Sequence, residues 1–273
     1  MFQNVKPKST FHTVLSIAEL IYHSIVRDVR KAHGNAFMAL ATNLLQAVVF
    51  VAAFYVMFSI LGLRGAALRG DFLLYLMSGI FLFLTHVKTL GAVVGAEGPS
   101  SPMMKHAPMN TMISISAAAL GALYIQVLTL FLILFAYHVV VTPFDIDKPF
   151  PAFGMLLISW FTAVAIGMVL LAIKPWFPTF VSTFTTVYQR ANMIASGKMF
   201  VANTLPSYLL AMFDWNPLFH AIDQSRGFVF VNYYPRNSSV EYPLMIGVIF
   251  IMLGLMGEFY TRKHASSSWD ARR

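Results

Sequence analysis

The chain of 273 residues contains no cysteine, which excludes disulfides and thiol chemistry and leaves the redox compartment open. Charge is scarce as well. Only 11% of residues are Asp, Glu, Lys or Arg, against 58% hydrophobic, and the mean hydropathy is +0.69. That composition excludes an ordinary soluble globule and describes a polytopic membrane protein. Catalytic motifs are missing too. No G-x-x-x-x-G-K-[ST] occurs, and Gly197–Lys198 lacks both the upstream glycine and the following hydroxyl. The eight histidines are scattered, with no H-E-x-x-H and no metal-like pair, so no metal site is expected. Asp145 and Asp147 read as a solvated loop edge rather than an acid–base pair. Asn237-Ser238-Ser239 matches a glycosylation sequon, a pattern that recurs by chance. The chain therefore reads as something other than an enzyme.

What is present is a series of six long apolar runs: Ala36–Leu63, Phe72–Val94, Met112–Val141, Phe153–Ile173, Phe177–Gly197 and Pro243–Tyr260. About 20 helical residues at ~1.5 Å rise cover a ~30 Å hydrocarbon core, so each run is long enough to cross a bilayer. Six spans with short loops use up the length and leave no room for a separate soluble catalytic domain. The first dozen residues are polar and the next stretch is amphipathic, without an h-region or a small-residue cleavage site, so no cleaved leader is expected there.

The net charge of +8 comes from residues that flank spans instead of forming a patch. Anionic headgroups of membrane lipids are thus the expected partner, and nucleic acid is not. With both ends inside, eleven of the nineteen Lys and Arg residues fall on the inner side and six on the outer. Lys88 and Arg190 lie within spans. The positive-inside bias then places both termini in the cytoplasm, which an even number of spans permits.

Ahead of the first span, Val14, Ile17, Ile21, Ile25 and Val29 recur at helical spacing opposite Glu19, His23, Arg27 and Arg30. Residues 14–31 are therefore expected as an interfacial helix on the inner leaflet; packing on a protein partner is the alternative. In the loop 98–110, Pro99, Pro102 and Pro108 interrupt any continuous helix. Between them Met103, Met104, Lys105 and His106 form one short turn, a knob suited to a groove on a soluble partner, or else an ordinary connection. Between spans five and six, residues 199–240 are too apolar for a plain loop. Pro206–Phe213 is too short to span. Asn216–Pro217 supplies an N-cap and a first-turn proline for a helix Leu218–Arg226, with Gly227 as its expected stop. Two short helices dipping into the outer interface would form a lid or a structural plug, with Pro206, Tyr208, Trp215, Asn216, Pro217 and Arg226 as its marked residues.

Arg190 lies about 13 residues into the fifth run, within Tyr188-Gln189-Arg190-Ala191-Asn192. Arginine near the middle of a lipid-facing helix costs roughly 2.5–3.5 kcal/mol on insertion scales. It should therefore face a polar pathway, a partner subunit or an anionic group; a buried structural pair with Glu97 or Glu258 is the alternative. Together with Thr183, Thr186 and Lys198, Arg190 makes this helix the best candidate for lining a conduit, and Tyr188, Arg190, Asn192 and Lys198 are assigned to it. Lys88, nearer a span end, is expected to snorkel. The aromatic residues, 15% of the chain and dense in its last third, suit the membrane interface or the faces of sugars.

In the order of these features the chain resembles the permease subunits of type-2 ABC exporters (the ABC-2 type transporter family), particularly those for capsular polysaccharide and O-antigen. The most specific match is Asn216-Pro217-Leu218 followed by Arg226, similar to the family's N-P-L…R element, with Ser196-Gly197 and Leu205-Pro206 ahead of it. The resemblance implies an all-α fold of six transmembrane helices, one transmembrane domain over residues 1–273, and a bacterial inner-membrane location. It implies a homodimer joined by two copies of a separate nucleotide-binding ATPase, which uses the ATP and Mg while this chain binds no cofactor. It further implies a coupling helix at about Ser101–Met109, gate helices within 199–240, and a channel lined by spans one, two and five for a lipid-linked glycan. A periplasmic adaptor and an outer-membrane export protein would follow where the envelope has two membranes. Export of another lipid, teichoic acid or a drug is the nearest alternative. An ion-coupled secondary carrier fits less well, because no internal repeat is evident and acidic residues avoid span centres. A membrane-embedded transferase lacks the convergent acidic or histidine residues that it needs.

Overall fold

The computed structural model describes residues 10–33, 36–62, 70–98 and 110–264. Among these residues every regular element is helical, as the composition requires. The amphipathic stretch forms α1, Thr10–His33, and then come α2, Ala36–Ile60, α3, Phe72–Val94, α4, Thr111–Val140, and α5, Pro149–Ile173. Next are α6, Pro178–Ala195, the short α7, Ser207–Leu210, α8, Pro217–Val229, and α9, Glu241–His264. The residues Met103, Met104, Lys105 and His106 of the expected coupling turn lie outside the described residues.

Local chemistry sets the ends. Asp71 caps α3 by accepting from the Leu73 and Leu74 N–H groups at 2.9 and 3.3 Å, and Asn110 caps α4 through the Met112 N–H. Pro149 and Pro178 open α5 and α6, where a missing N–H costs nothing. Pro149 therefore starts α5 four residues before the apolar run itself.

Among the described residues five helices, α2, α3, α4, α5 and α9, are long and apolar enough to cross a membrane. The protein is thus a polytopic all-α membrane protein. The fifth of the expected six spans differs. It forms α6, only 18 residues long and ~27 Å at 1.5 Å per residue, and Thr183, Thr186, Gln189, Arg190 and Asn192 dilute its apolar character. It stops at Ser196–Gly197, where Gly197 takes φ +73°, a left-handed turn that ends a helix readily only with glycine.

α3 and α5 form the buried centre, and α2, α4 and α9 expose most of their surface around it. Leu76, Met77 and Ile80 of α3 pack with Met155 and Leu156 of α5 in one core. α9 approaches α5 closely: a Cβ at Gly247 would stand 2.4 Å from the Phe161 ring, and one at Gly254 2.8 Å from Met168 Cβ. Small residues permit such contact between membrane helices, where dispersion replaces the hydrophobic effect. At the end of the bundle that carries the start of α2, Lys174 Nζ donates to the free Val94 carbonyl of α3 at 2.8 Å. There, too, Thr261 donates to the Ala172 carbonyl at 2.9 Å and accepts from Trp176 Nε1 at 3.0 Å. α1 packs on α4 and α2 at the same end, with Leu15, Ile17 and Tyr22 exposed.

Candidate functional site

The segment after α6 folds back into the bundle. Lys198 Nζ lies 3.9 Å from the centre of the Phe83 ring and 5.2 and 5.5 Å from those of Phe54 and Phe50. Phe50 and Phe83 stand about halfway along α2 and α3, so the turn carrying Lys198 sits deep between them. The ammonium donates to the Met193 carbonyl at 2.5 Å. The lysine is 1% exposed, and its desolvated charge is met by the negative faces of three rings.

Arg226 of α8 fixes the same turn. Fully buried, it donates through Nη1 to the carbonyls of Gly197 at 2.8 Å and Phe200 at 2.5 Å, and through Nη2 to that of Lys198 at 2.6 Å. Its guanidinium lies 4.3 Å from the Tyr75 ring centre. A planar fork of donors suits three converging carbonyls as a single ammonium does not. α3 makes room with Gly79, where a Cβ would stand 2.9 Å from Arg226 Nη2 and 3.0 Å from Lys198 Cα.

Asn216 closes the other end. Its Oδ1 accepts from the Leu218 N–H at 3.0 Å, the N-cap read from the sequence. Its Nδ2 donates to Asn192 Oδ1 at 2.8 Å and to the Ala195 carbonyl at 3.0 Å. The Asn-Pro-Leu…Arg element thus works as a clamp: asparagine ties the start of α8 to the end of α6, and arginine ties its last turn to the loop between them.

The expected helix after Asn216 is present but does not stop at Gly227; α8 continues to Val229. Gly227 serves close packing instead, since a Cβ there would meet Pro235 Cδ at 2.5 Å. The polar residues His220 and Asp223 of α8 are turned into the protein. Asp223 is buried and accepts from Tyr233 OH at 2.5 Å and Ser238 Oγ at 2.7 Å; burial, and after it the Asp223 carboxylate, hold the Tyr233 phenol well above its ordinary range. His220 donates from Nε2 to the Asp214 carbonyl at 2.6 Å and accepts at Nδ1 from the Ser239 N–H at 3.0 Å. Burial lowers its pKa, against smaller opposing effects of the Asp214 carbonyl and of Asp223 and Asp214. Pro217 is buried at the head of α8, Pro206 precedes α7, and Tyr208 and Trp215 are exposed beside them.

The four residues assigned to a pathway separate. Asn192 and Lys198 are buried in the clamp. Tyr188 OH donates to His86 Nε2 at 3.0 Å, while His86 Nδ1 donates to the Ser159 carbonyl at 3.0 Å. Arg190 is exposed on α6, and among the described residues it forms no ion pair with Glu97 or Glu258. His86, fully buried, joins α3, α5 and α6, yet sequence reasoning passed it over as one scattered histidine. Its position inside an apolar run is the signal that could have marked it.

The fold and this site define a class: a polytopic all-α membrane protein whose polar, short α6 is clamped to the buried helix α8. No family model matches the chain. It is similar to two curated proteins of Escherichia coli, each described as polysialic acid transport protein KpsM. It is 23% identical to one over 199 residues, spanning 71% of this chain and 75% of that protein. It is 22% identical to the other over 199 residues, with the same shares covered. These matches bear out the resemblance read from the order of sequence features.

Proposed function

We propose that the chain is the membrane permease of an ATP-driven exporter, moving a lipid-linked polysaccharide of capsule or O-antigen type across the bacterial inner membrane. The observation that carries the reading is the similarity, over most of both chains, to a protein described as transporting polysialic acid. A homodimer is supported by α6, where Phe180, Phe184, Val187 and Ile194 form an exposed apolar stripe at helical spacing. The polar Thr183, Thr186 and Arg190 are exposed on the same helix, and polar groups at membrane depth suit a second copy better than lipid. Arg190 then faces the seam or the polymer. Nucleotide hydrolysis belongs to a partner ATPase acting on Met103–His106, and this chain contributes binding and gating through residues 199–240, with both termini cytoplasmic.

The test compares cells with and without the chain for surface polysaccharide and for lipid-linked polymer held inside. Loss outside with accumulation inside is expected. Normal surface glycan without accumulation would overturn the cargo and move it to another lipid or small molecule.

A further inference from the structure

A crevice of about 530 Å³ lies between α2, α3 and α4, apart from the α6–α8 clamp. Its lining comes from the first turns of α2 and α4 and the last turns of α3, so it opens at the end of the bundle where α1 packs. Lys88 Nζ bonds Gln46 and Gln126 Nε2 bonds Asn43, residues three apart and ~4.5 Å along α2, so the two side chains end about one helical turn apart in depth. The walls between are built of small residues, Ala92, Ala117, Ala118, Gly121 and Ala122 among them. The volume is therefore space for a guest, within the 300–1,000 Å³ range of small-molecule sites.

The polar groups are incompletely matched. Lys88 gives one N–H to Gln46 Oε1 at 2.6 Å; its ammonium has two more donors and reaches the crevice instead of snorkelling out along a lipid-facing side. Gln126 is 3% exposed and gives its Nε2 to Asn43 Oδ1 at 3.0 Å. Its Oε1 lies buried without a partner among the described residues, a state costing about 1–3 kcal/mol of desolvation unless a donor arrives. The other charged group in the lining is Glu97, just past the end of α3. Cationic donors and a buried acceptor about one helical turn apart call for a guest with an anionic oxygen and a hydroxyl. Leu45 and Val49 of α2 and Leu120 and Tyr124 of α4, on the same turns as the lining residues, are exposed, so apolar chains attached to the guest have a surface to lie on.

We propose that this crevice binds the phosphate and hydroxyl headgroup of an anionic lipid from the leaflet beside α1, with Lys88 on the phosphate and Gln126 Oε1 accepting from a headgroup hydroxyl. The proposal stands apart from the export reading, because it concerns a resident lipid and not the cargo.

The test is native mass spectrometry of the full chain purified in neutral detergent, titrated with phosphatidylglycerol or phosphatidylcholine. Phosphatidylglycerol should be retained about tenfold more strongly, because its hydroxyl can donate to the buried Gln126 Oε1, whereas phosphatidylcholine has no headgroup hydroxyl and its phosphate carries its own trimethylammonium counter-ion. Lys88→Gln and the crevice-filling Ala122→Phe should each remove that preference and leave phosphatidylcholine retention unchanged. Ala122→Phe keeps every polar group, so it decides alone if Lys88→Gln fails to fold. Equal retention of the two lipids by the wild-type chain, or a preference surviving in Ala122→Phe, would overturn the assignment. Displacement of phosphatidylglycerol by millimolar inorganic phosphate would overturn the lipid as the source of the anion. Surface glycan does not enter this readout, so the export reading and this one fail separately.

Discussion

Asn216 shows how one side chain can carry two duties. Its carbonyl oxygen caps α8 and its amide nitrogen bridges to α6. Asn216→Ala is expected to lose about 2 kcal/mol, the upper part of the N-cap range, because the Asn192 carbonyl oxygen loses its donor as well. Asn216→Asp keeps the cap, loses the donors and should fall between the two in thermal unfolding of the purified protein. His220 gives a pH dependence with a definite sign. Its folded pKa lies below the ordinary 6.5, so both folded and unfolded chains are neutral above that value. As pH falls below about 6.5 the unfolded chain gains a proton that the folded one resists, and stability is lost. Protonation at Nδ1 also breaks the Ser239 contact. Hydrogen exchange at the Ser239 amide, corrected for its intrinsic rate, should rise between pH 7 and 5, and His220→Phe should flatten that rise.

At the scale of elements, the docking of the 196–201 turn depends on α3 having no side chain at Gly79. Gly79→Val is expected to cost about 1–3 kcal/mol by overpacking, because both neighbours of its Cβ, Arg226 Nη2 and Lys198 Cα, are held by the clamp. Gly154→Ala on α5 is the control: nothing lies within 4 Å of its Cβ, and alanine favours helix. Comparing the melting temperatures of the two variants checks the argument. A Gly79→Val protein as stable as the parent would mean that the turn docks elsewhere. The same element explains why α6 is short. A helix whose last turn is bonded by Asn216 and whose following turn is held by Arg226 cannot run on to the far side of the bundle.

For the whole molecule, the absence of cysteine makes a clean test of association. Val187 lies on the exposed stripe of α6, so Val187→Cys in membranes should give a disulfide-linked dimer on mild oxidation. Lys148→Cys, remote from that stripe, should give none. A chain that stays monomeric with Val187→Cys would place the stripe against lipid or another protein. Hydropathy alone determined much of the architecture: helix after helix of membrane-crossing length, because a lipid core demands internally bonded backbone and apolar side chains whatever the tertiary contacts. The N-cap at Asn216, the helix after it and the amphipathic α1 were legible for the same reason, being set by residues close in the chain. What only the tertiary structure decided were meetings between distant residues: Arg226 with the carbonyls of residues 197, 198 and 200, His86 with Tyr188, and Lys88 turned into a crevice with Gln46. Gly227 was misjudged as a stop because its role depends on Pro235 packing against it. The sequence groups Arg190 with Asn192 and Lys198 in one pathway, but which face of α6 turns inward is set by the partners of Asn192 and Tyr188. A one-dimensional pattern records how apolar each turn is; it does not record which side of that turn finds a hydrogen-bonding partner.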